Sequence, residues 1–307
     1  MEEKLSGKNI HEPVLVDEIV EALKLDQLAH LNTQAKFIDA TIGTAGHGLE
    51  IIKRGFRLLG IDLDARMLEI ARIRLDACPV SNPKIGDLYT LIQANFKDID
   101  LIAEENGYTD ADGIIFDLGV SNLHLTSLPI GISFSNSEAP LDMRLNSKTQ
   151  AIAAKDLLNV LNIGQLTELF SQTIEPYLAR RLAKKIIDYR SNQLFEKVED
   201  LLAVCAILPK RGKLNQATRA FLALRIAVNS ELDNISEALP KAFKLLKKGG
   251  RLAVISFHSG EDRLVKDYFK DLPESMTIGS LPIVPSSEEI ANNPRARSAK
   301  MRVVEKI

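Results

Sequence analysis

An apolar run that passes directly into a glycine-rich loop lies near the start of the chain: Phe37-Ile38-Asp39-Ala40-Thr41-Ile42-Gly43-Thr44-Ala45-Gly46-His47-Gly48. A short apolar run bounded by turn residues predicts a buried strand, here residues 36–40. A helical pattern over residues 46–53 follows at once. A strand, a glycine loop and a helix in this order are typical of nucleotide-binding α/β sheets.

The alternation of strand and helix continues along the chain. A second helical pattern covers residues 65–76. The further strand patterns are 57–61, 89–94, 113–117, 251–256 and 301–305. This order predicts an α/β fold with a mostly parallel, doubly wound sheet.

A long interruption separates the fourth strand pattern from the fifth. Residues 126–148 are loop-like, and residues 151–208 hold only helical patterns, such as 175–187 with apolar residues on one face and cations on another. We therefore predict an inserted helical domain at 126–213, with a role in RNA recognition. The main domain is then discontinuous and consists of residues 1–125 and 214–307.

Composition is that of an ordinary globular protein. The chain has 307 residues, of which 45% are hydrophobic and 26% charged. The two cysteines, Cys78 and Cys205, fit no metal spacing, and the five histidines are scattered, so no metal site is predicted. No apolar run is long enough to span a membrane, and the first residues do not resemble a signal peptide. We expect a cytoplasmic protein without a membrane partner.

Charge is distributed unevenly between the halves. Residues 1–150 hold 14 basic and 23 acidic residues, whereas residues 151–307 hold 25 and 18. An acidic half beside a basic half favours contact with a polyanion on one side. Solvated basic helices would explain the same numbers.

The glycine loop predicts a cofactor site. Gly43, Gly46 and Gly48 let a ligand approach the backbone, and Asp62 at the end of the second strand is placed to bind a ribose. The spacing is not that of dinucleotide-binding loops, and a purely structural turn is the alternative. Asp39 before the glycines would repel a pyrophosphate and attract the cationic head of S-adenosylmethionine, unless it only orders the loop. Phe96 could cover an adenine or belong to the core.

A second set of polar residues ends the fourth and fifth strands. Asp117 follows three apolar residues. A carboxylate at this position lowers the stability of the fold unless it has a partner, and such residues are common at functional sites. His258 and Ser259 follow the strand 251–256. Ser259 with Asp262 also has the pattern of a helix N-cap, which leaves His258 unexplained.

Two cationic loops, 209–219 and 293–300, suit contacts with phosphate. Aromatic residues are only 5% of the chain and Trp is absent, so stacking on bases would be sparse. The expected target is a structured RNA that is bound through its shape and backbone.

Taken together, these segments resemble the bacterial small-subunit (16S) rRNA cytosine-N4 methyltransferases, the MraW-type enzymes. The matching segments are 11–15, 39–47, 60–64, 117–121, 140–144, 217–221, 255–263 and 293–298. The resemblance implies a class I methyltransferase fold with S-adenosylmethionine as donor. It also implies a cytidine in the decoding region of small-subunit rRNA as acceptor.

The resemblance also assigns residues. The predicted cofactor-binding residues are Asp39, Gly43, Ala45, Gly46, His47, Asp62, Phe96, Asp117 and His124. The predicted catalytic residues are Asp117 and, as a hypothesis, His258. The predicted rRNA-binding residues are Arg144, Arg219, Ser259, Glu261, Arg295 and Arg297.

Three positions depart from the family pattern. Ala45 stands where a second glycine is usual, His124 replaces a glutamine, and Thr126 replaces a common aspartate. Binding should survive the small methyl of Ala45, whereas His124 could make cofactor binding sensitive to pH. A non-catalytic RNA-binding or ribosome-assembly factor remains the alternative, and the glycine spacing disfavours a dehydrogenase. The sequence leaves the oligomeric state open and allows a homodimer.

Overall fold

Among the described residues seven strands form one sheet. They are β1 (Lys36–Asp39), β2 (Arg57–Asp62), β3 (Tyr89–Gln93), β4 (Ala111–Asp117), β5 (Leu246–Ser256), β6 (Ser275–Ile283) and β7 (Lys300–Lys306). Strands β1, β2, β4, β5 and β7 contain buried apolar residues. This computed structural model describes residues 13–31, 34–79, 88–126, 129–210, 215–273 and 275–307.

The strand order is β3-β2-β1-β4-β5-β7-β6. The first five strands of this order run parallel, and β7 is antiparallel to both β5 and β6. The α/β fold with a mostly parallel sheet is therefore confirmed. Because the order reverses between β1 and β4, a crevice for ligands is expected outside their carboxyl ends.

Fourteen α-helices lie within the described residues. They are α1 (Val16–Ala22), α2 (Leu25–Leu31), α3 (Gly46–Lys53), α4 (Ala65–Asp76), α5 (Ile99–Glu105), α6 (Asn122–Thr126), α7 (Ala154–Val160), α8 (Ile163–Ser171), α9 (Pro176–Arg190), α10 (Val198–Cys205), α11 (Thr218–Asn229), α12 (Glu231–Leu245), α13 (Ser259–Lys270) and α14 (Ser287–Asn292). The bounds of α3 and α4 agree with the predicted helices.

Successive residues of the central strands bury opposite faces of the sheet, as the pleat requires. Phe37 belongs to a core that also contains Ile19 and Ile51 from helices α1 and α3. Its neighbour Ile38 belongs to a second core, with Ala103 of α5 among its members. Both faces of the sheet are thus covered by helices, which explains the almost uninterrupted apolar runs of the strands.

The chain divides into two compact units. The first consists of residues 1–119 and 232–307 and contains the sheet, and the second consists of residues 120–231. The predicted insert, 126–213, lies inside the second unit, which extends further at both ends. The extension includes α11, because its Phe221 and Leu224 are buried in the same core as Leu166 and Leu182. The predicted junction at 213/214 lies outside the described residues.

Within the described part of the chain, every helix is too short or too polar to cross a membrane.

Candidate cofactor and active site

The glycine loop leaves β1 in a conformation that brings its backbone back over the sheet. Gly43 has φ 49° and Ala45 has φ 62°, both in the left-handed region. The amide of Gly43 donates to Asp62 Oδ2 at 3.0 Å, and the amide of Ile42 donates to the carbonyl of Ile61 at 2.9 Å. These bonds tie the loop to the end of β2.

Close packing fixes the start of α3 against the chain before α1. A Cβ on Gly46 would lie 2.6 Å from Pro13 Cβ, so no larger residue fits without movement. His47 Nε2 lies 2.8 Å from the carbonyl oxygen of Val14. The segment 11–15, which the sequence singled out, thus packs on the loop through residues 13 and 14, whereas His11 and Glu12 lie outside the described residues.

Ala45 occupies a strained position for a residue with a side chain. It is fully buried and forms the N-cap of α3 in a left-handed conformation, which costs a residue with a Cβ roughly 1 kcal/mol or more. Its amide donates to the carbonyl of Ile42 at 2.7 Å, which closes the turn. Alanine is therefore accommodated in the fold at this position, and a glycine would relieve the strain; that cofactor binding survives the methyl of Ala45 stays a prediction.

Three carboxylates come together at the C-terminal edge of the sheet. Asp39 and Asp62 end the adjacent strands β1 and β2, and Asp117 ends β4 on the other side of β1. Asp62 braces the backbone, because its Oδ1 accepts the amide of Asp64 at 2.8 Å in addition to the bond from Gly43. A carboxylate accepts about four hydrogen bonds, so this bracing leaves a ribose contact compatible with the geometry.

Burial acts strongly on the other two carboxylates. Asp39 is 2% exposed, and its pKa is raised to about 7, mainly by burial; the charges of Asp117 and Asp62 contribute to the rise, while His47 and the amide of Thr41 oppose it. That amide donates to Asp39 Oδ1 at 3.2 Å, so Asp39 also orders the loop. Burial likewise raises the pKa of Asp117 to about 7, with a contribution from the charge of Glu261.

One carboxylate oxygen of Asp117 is left without a hydrogen bond by the residues that the structure describes. Its Oδ1 is buried and has no hydrogen-bond partner among the described residues. Its Oδ2 lies 3.8 Å from His47 Nδ1, too far for a hydrogen bond. The backbone is held firmly, because the Asp117 amide donates to Thr41 Oγ1 at 2.6 Å. A buried, unused acceptor on a fixed backbone is the feature expected of a group that meets a ligand.

Phe96 begins a short 3-10 helix, Phe96–Asp98, just after β3. Its ring packs edge-on against Phe116, with the centroids 5.6 Å apart. It is half-buried, so one part of the ring belongs to the core and another part remains accessible. Both roles weighed for Phe96 are therefore compatible with its position.

The turn after β5 differs from the expected cap. The N-cap of α13 is His258, whose Nδ1 accepts from the amides of Gly260 at 3.2 Å and Glu261 at 3.4 Å. Glu261 completes the capping box, since its Oε2 accepts from the amides of Phe257 at 2.8 Å and His258 at 3.2 Å. The interpretation of Ser259 and Asp262 as the capping pair was wrong.

Asp262 instead binds the neighbouring strand. It pairs with Lys300 at 3.2 Å and with Arg302 at 2.7 Å, both on β7. Although burial opposes the shift, these two cations lower the pKa of Asp262. Ser259 is exposed at the first position of α13, whereas Glu261 is 1% exposed. The expectation that Glu261 contacts RNA directly is therefore revised to a role in holding His258.

His258 keeps one ring nitrogen uncommitted to the cap. Because Nδ1 accepts two amides, the neutral ring carries its proton on Nε2. Nε2 is buried and lies 3.2 Å from Glu261 Oε1, but it has no hydrogen-bond partner among the described residues.

The predicted residues of the second unit are held by local contacts. His124 is 4% exposed, and its Nδ1 lies 2.9 Å from Ser121 Oγ. Arg144 binds Asp142 through two nitrogens at 2.7 Å each and donates to the carbonyl of Gln150. Much of its guanidinium is thus engaged inside the unit.

Arg219, also in the second unit, donates to the carbonyl of Thr173 at 3.2 Å and pairs with Glu175 at 3.0 Å. Both Arg144 and Arg219 were expected to bind RNA, and their internal partners make a structural role the better interpretation.

Arg295 and Arg297 are accessible for the RNA contact that was predicted for them. Both are exposed, beside a short 3-10 helix, Ala296–Ser298, that precedes β7. Within the described ranges neither side chain forms an ion pair or hydrogen bond. The other cationic loop, 209–219, is described only in part, since residues 211–214 lie outside the described ranges.

Two supporting residues were missed by the sequence analysis. Thr41 holds the amide of Asp117, and Arg74 on α4 donates to the carbonyl of Thr44 at 2.6 Å and to its hydroxyl at 3.0 Å. Thr41 stands in the quoted loop between two functional positions, which is a usable signal. Arg74 follows Thr44 by 30 residues and carries no local signature.

The fold and the site define a class of protein. An α/β methyltransferase has a doubly wound sheet with a glycine loop at its switch point. It also has carboxylates at the place where a dinucleotide enzyme would bind phosphate, as this chain does. A family model described as the MraW methylase family matches residues 8–307. The chain belongs to this family, which confirms the resemblance inferred from the sequence.

Individual relatives support the assignment. The chain is 40% identical to the ribosomal RNA small subunit methyltransferase H of Dictyoglomus thermophilum, over 97% of each protein. It is 38% identical to the protein of the same name from Thermotoga neapolitana, over 96% of this chain and 95% of that one. A solved rRNA methylase from Streptococcus thermophilus aligns with a TM-score of 0.44 at 13% identity, covering 93% of this chain and 95% of that one, which is too low to support a conclusion.

S-adenosylmethionine fits the site chemically. Its amino and sulfonium groups are cationic, and the crevice presents the buried Asp39 and the partly buried Asp117, whose buried Oδ1 has no hydrogen-bond partner among the described residues. A cation placed there would favour the ionised carboxylates, which burial alone disfavours.

Proposed function

We propose that this protein transfers a methyl group from S-adenosylmethionine to the exocyclic N4 amine of a cytidine in the decoding region of small-subunit (16S) rRNA. Membership of the MraW methylase family and the names of the relatives support small-subunit rRNA as the substrate. The buried, unused Oδ1 of Asp117 is the observation on which the choice of an amine acceptor depends.

The cofactor would lie along the C-terminal edge of the sheet. Asp39 and the loop from Gly43 to His47 would hold its methionine part, Asp62 its ribose and Phe96 its adenine. Bound there, S-adenosylmethionine supplies a methyl group activated by the positive sulfur. His124 belongs to the second unit, and its predicted cofactor contact stays a prediction.

Asp117 would orient the acceptor. The lone pair of the cytosine N4 is delocalised into the ring, so the amine is a poor nucleophile that needs accurate placement. Asp117 Oδ1 can accept one N4–H hydrogen bond and align the nitrogen with the methyl group. As N4 gains the methyl group it loses one proton, which the carboxylate of Asp117, ionised when the cationic cofactor is bound, would accept.

His258 would hold the base rather than move protons. Its backbone and Nδ1 are fixed by the cap of α13, and the buried Nε2 has no hydrogen bond among the described residues. An Nε2–H donor could bind an oxygen or a ring nitrogen of the cytosine. The base must leave its stack to reach this position.

Arg295 and Arg297 would contact phosphate, since both are exposed cations without partners in the described part of the chain. The second unit, residues 120–231, would contribute further RNA contacts. Arg144 and Arg219 would act there by stabilising the unit. Replacing Arg295 and Arg297 by Ala should lower the salt dependence of RNA binding by about 1.5 in log–log slope, and an unchanged slope would contradict the role.

The test of Asp117 is a single-turnover assay on small-subunit rRNA. Asp117→Asn keeps the shape but cannot take a proton, so the rate should fall at least about 100-fold while calorimetry detects cofactor binding. Asp112→Asn is the control, because Asp112 lies at the other end of β4 and accepts the amide of Lys36 at 2.9 Å. A near-normal rate in Asp117→Asn would disprove the role.

A further inference from the structure

Helix α9 in the second unit presents a row of cations to solvent. Its apolar residues Leu178, Leu182 and Ile186 are buried in the core of the unit, so the opposite face is left outside. The exposed residues of that face are Tyr177, Arg180, Arg181, Lys184, Lys185 and, towards the C-terminal end, one acidic residue, Asp188; we call the first five the α9 stripe. The stripe is separate from the cationic loops 209–219 and 293–300.

The α9 stripe differs from the other basic residues of its unit. Most of those are engaged internally, by carboxylates or by backbone carbonyls; they are Arg144, Lys155, Arg190, Lys197, Arg219 and Arg225. In the described ranges, none of the four cations of the stripe has an ion pair or hydrogen bond from its side chain. Their charges are thus available to an external partner.

Local helix energetics do not favour this arrangement. Arg180 and Lys184 are four residues apart, as are Arg181 and Lys185, and like charges at this spacing repel on a helix surface. A glutamate at one position of each pair would stabilise the helix instead. The repulsion is relieved when an anion binds between the cations, which points to a polyanionic partner.

From these contacts we infer that the α9 stripe binds the phosphate backbone of the rRNA substrate, an inference that rests on the proposed function. Two pairs of cations, each pair spanning about 6 Å along the axis, can meet successive phosphates. Tyr177 at the start of the stripe is 65% exposed and could stack on an unpaired base. A convex, cationic helix with a single aromatic residue suits nucleic acid better than a hydrophobic protein partner.

The test compares two variants of equal charge in the full-length protein. The first replaces Arg180, Arg181, Lys184 and Lys185 by Gln, which keeps helix propensity. The control replaces four exposed lysines of the first unit by Gln: Lys244, Lys248, Lys266 and Lys270. Binding to a transcript of the decoding region is measured between about 50 and 200 mM salt, together with cofactor affinity and thermal unfolding.

For the stripe variant, a plot of the logarithm of the RNA-binding constant against the logarithm of salt concentration should be less steep by about 3. At the higher salt the variant should bind RNA on the order of tenfold more weakly. Its cofactor affinity should match that of the unsubstituted protein, and its unfolding temperature should be equal or slightly higher, because the repulsion within each pair of cations is removed. Tyr177→Ala should weaken RNA binding by roughly tenfold, and Tyr177→Phe should not.

Three results would overturn this inference: an unchanged slope, an equal loss in the control variant, or loss of binding to anionic vesicles without loss of RNA binding. If the unsubstituted protein methylates the RNA and the stripe variant has an unchanged salt slope, only the role of the stripe in RNA binding is rejected. If RNA binding depends on the stripe but no methylation is detected, only the proposed function is rejected.

Discussion

Cofactor binding should weaken as the pH falls below 7. In the free protein, burial raises the pKa of Asp39 and of Asp117 to about 7, so both are largely neutral at lower pH. A cationic ligand favours the ionised forms and lowers their pKa, so protons are released on binding. The charge of Asp117 contributes to the raised pKa of Asp39, whereas the charge that contributes to the raised pKa of Asp117 is that of Glu261.

The magnitude follows from proton linkage. If binding moves one carboxyl from a pKa of about 7 to below the assay range, Kd at pH 5.5 exceeds Kd at pH 7.5 by about 25-fold. The free energy of unfolding depends on pH in the opposite direction. The raised pKa values contribute stability that is present below about pH 4 and is lost as the pH rises through about 7. Without cofactor, Asp39→Asn should therefore stabilise the protein at pH 8.

Isothermal titration with S-adenosylmethionine measures the effect directly. Asp39→Asn should bind at least about tenfold more weakly at pH 7.5, and its Kd should change less between pH 5.5 and 7.5 than the Kd of the unsubstituted protein. Asp267→Asn, at an exposed position of α13, is the control and should follow the unsubstituted protein. A constant Kd of the unsubstituted protein across this pH range, or an undiminished pH dependence in Asp39→Asn, would refute the reasoning.

Three further changes test the packing and the charges. Gly46→Ala places a methyl 2.6 Å from Pro13 Cβ and should cost about 1–3 kcal/mol in urea unfolding; an unchanged midpoint would count against the close contact. Glu261→Gln removes a charge that raises the pKa of Asp117, so the acid limb of the transfer rate should move to lower pH, and a shift upward would contradict this. Leu182→Ala should cost about 2–5 kcal/mol, and a loss below about 1 kcal/mol would argue against a tight core in the second unit.

The central strands and the first helices could be predicted because their signals are local. The helix 65–76, for example, carries its own N-cap in Asp64, whose Oδ1 accepts the amide of Arg66 at 2.9 Å. Strand β6 was missed, because Gly279 and Pro282 interrupt its apolar pattern and its register with β7 shifts. Such a strand is tolerated at the edge of a sheet, where β6 lies.

The residues of the candidate site that lie at strand ends could be predicted from the sequence. The contacts that depend on residues far along the chain could not. The glycine loop, Asp39, Asp62 and Asp117 follow from strand patterns alone. The capping pair after β5 was predicted wrongly, because Asp262 pairs instead with cations about 40 residues further along the chain. The internal partners of Arg144 and Arg219 could not be predicted either, because an arginine has the same sequence pattern whether it binds a carboxylate or a phosphate.

The most direct test of the central claim uses a labelled methyl group. Small-subunit rRNA is incubated with the protein and methyl-labelled S-adenosylmethionine, and the nucleosides are separated and analysed by mass spectrometry. Our account predicts a single labelled product, N4-methylcytidine, that is lost with Asp117→Asn. Label on a ring carbon, on a ribose oxygen or on another base would contradict it, as would no transfer by a protein that binds both the donor and the RNA.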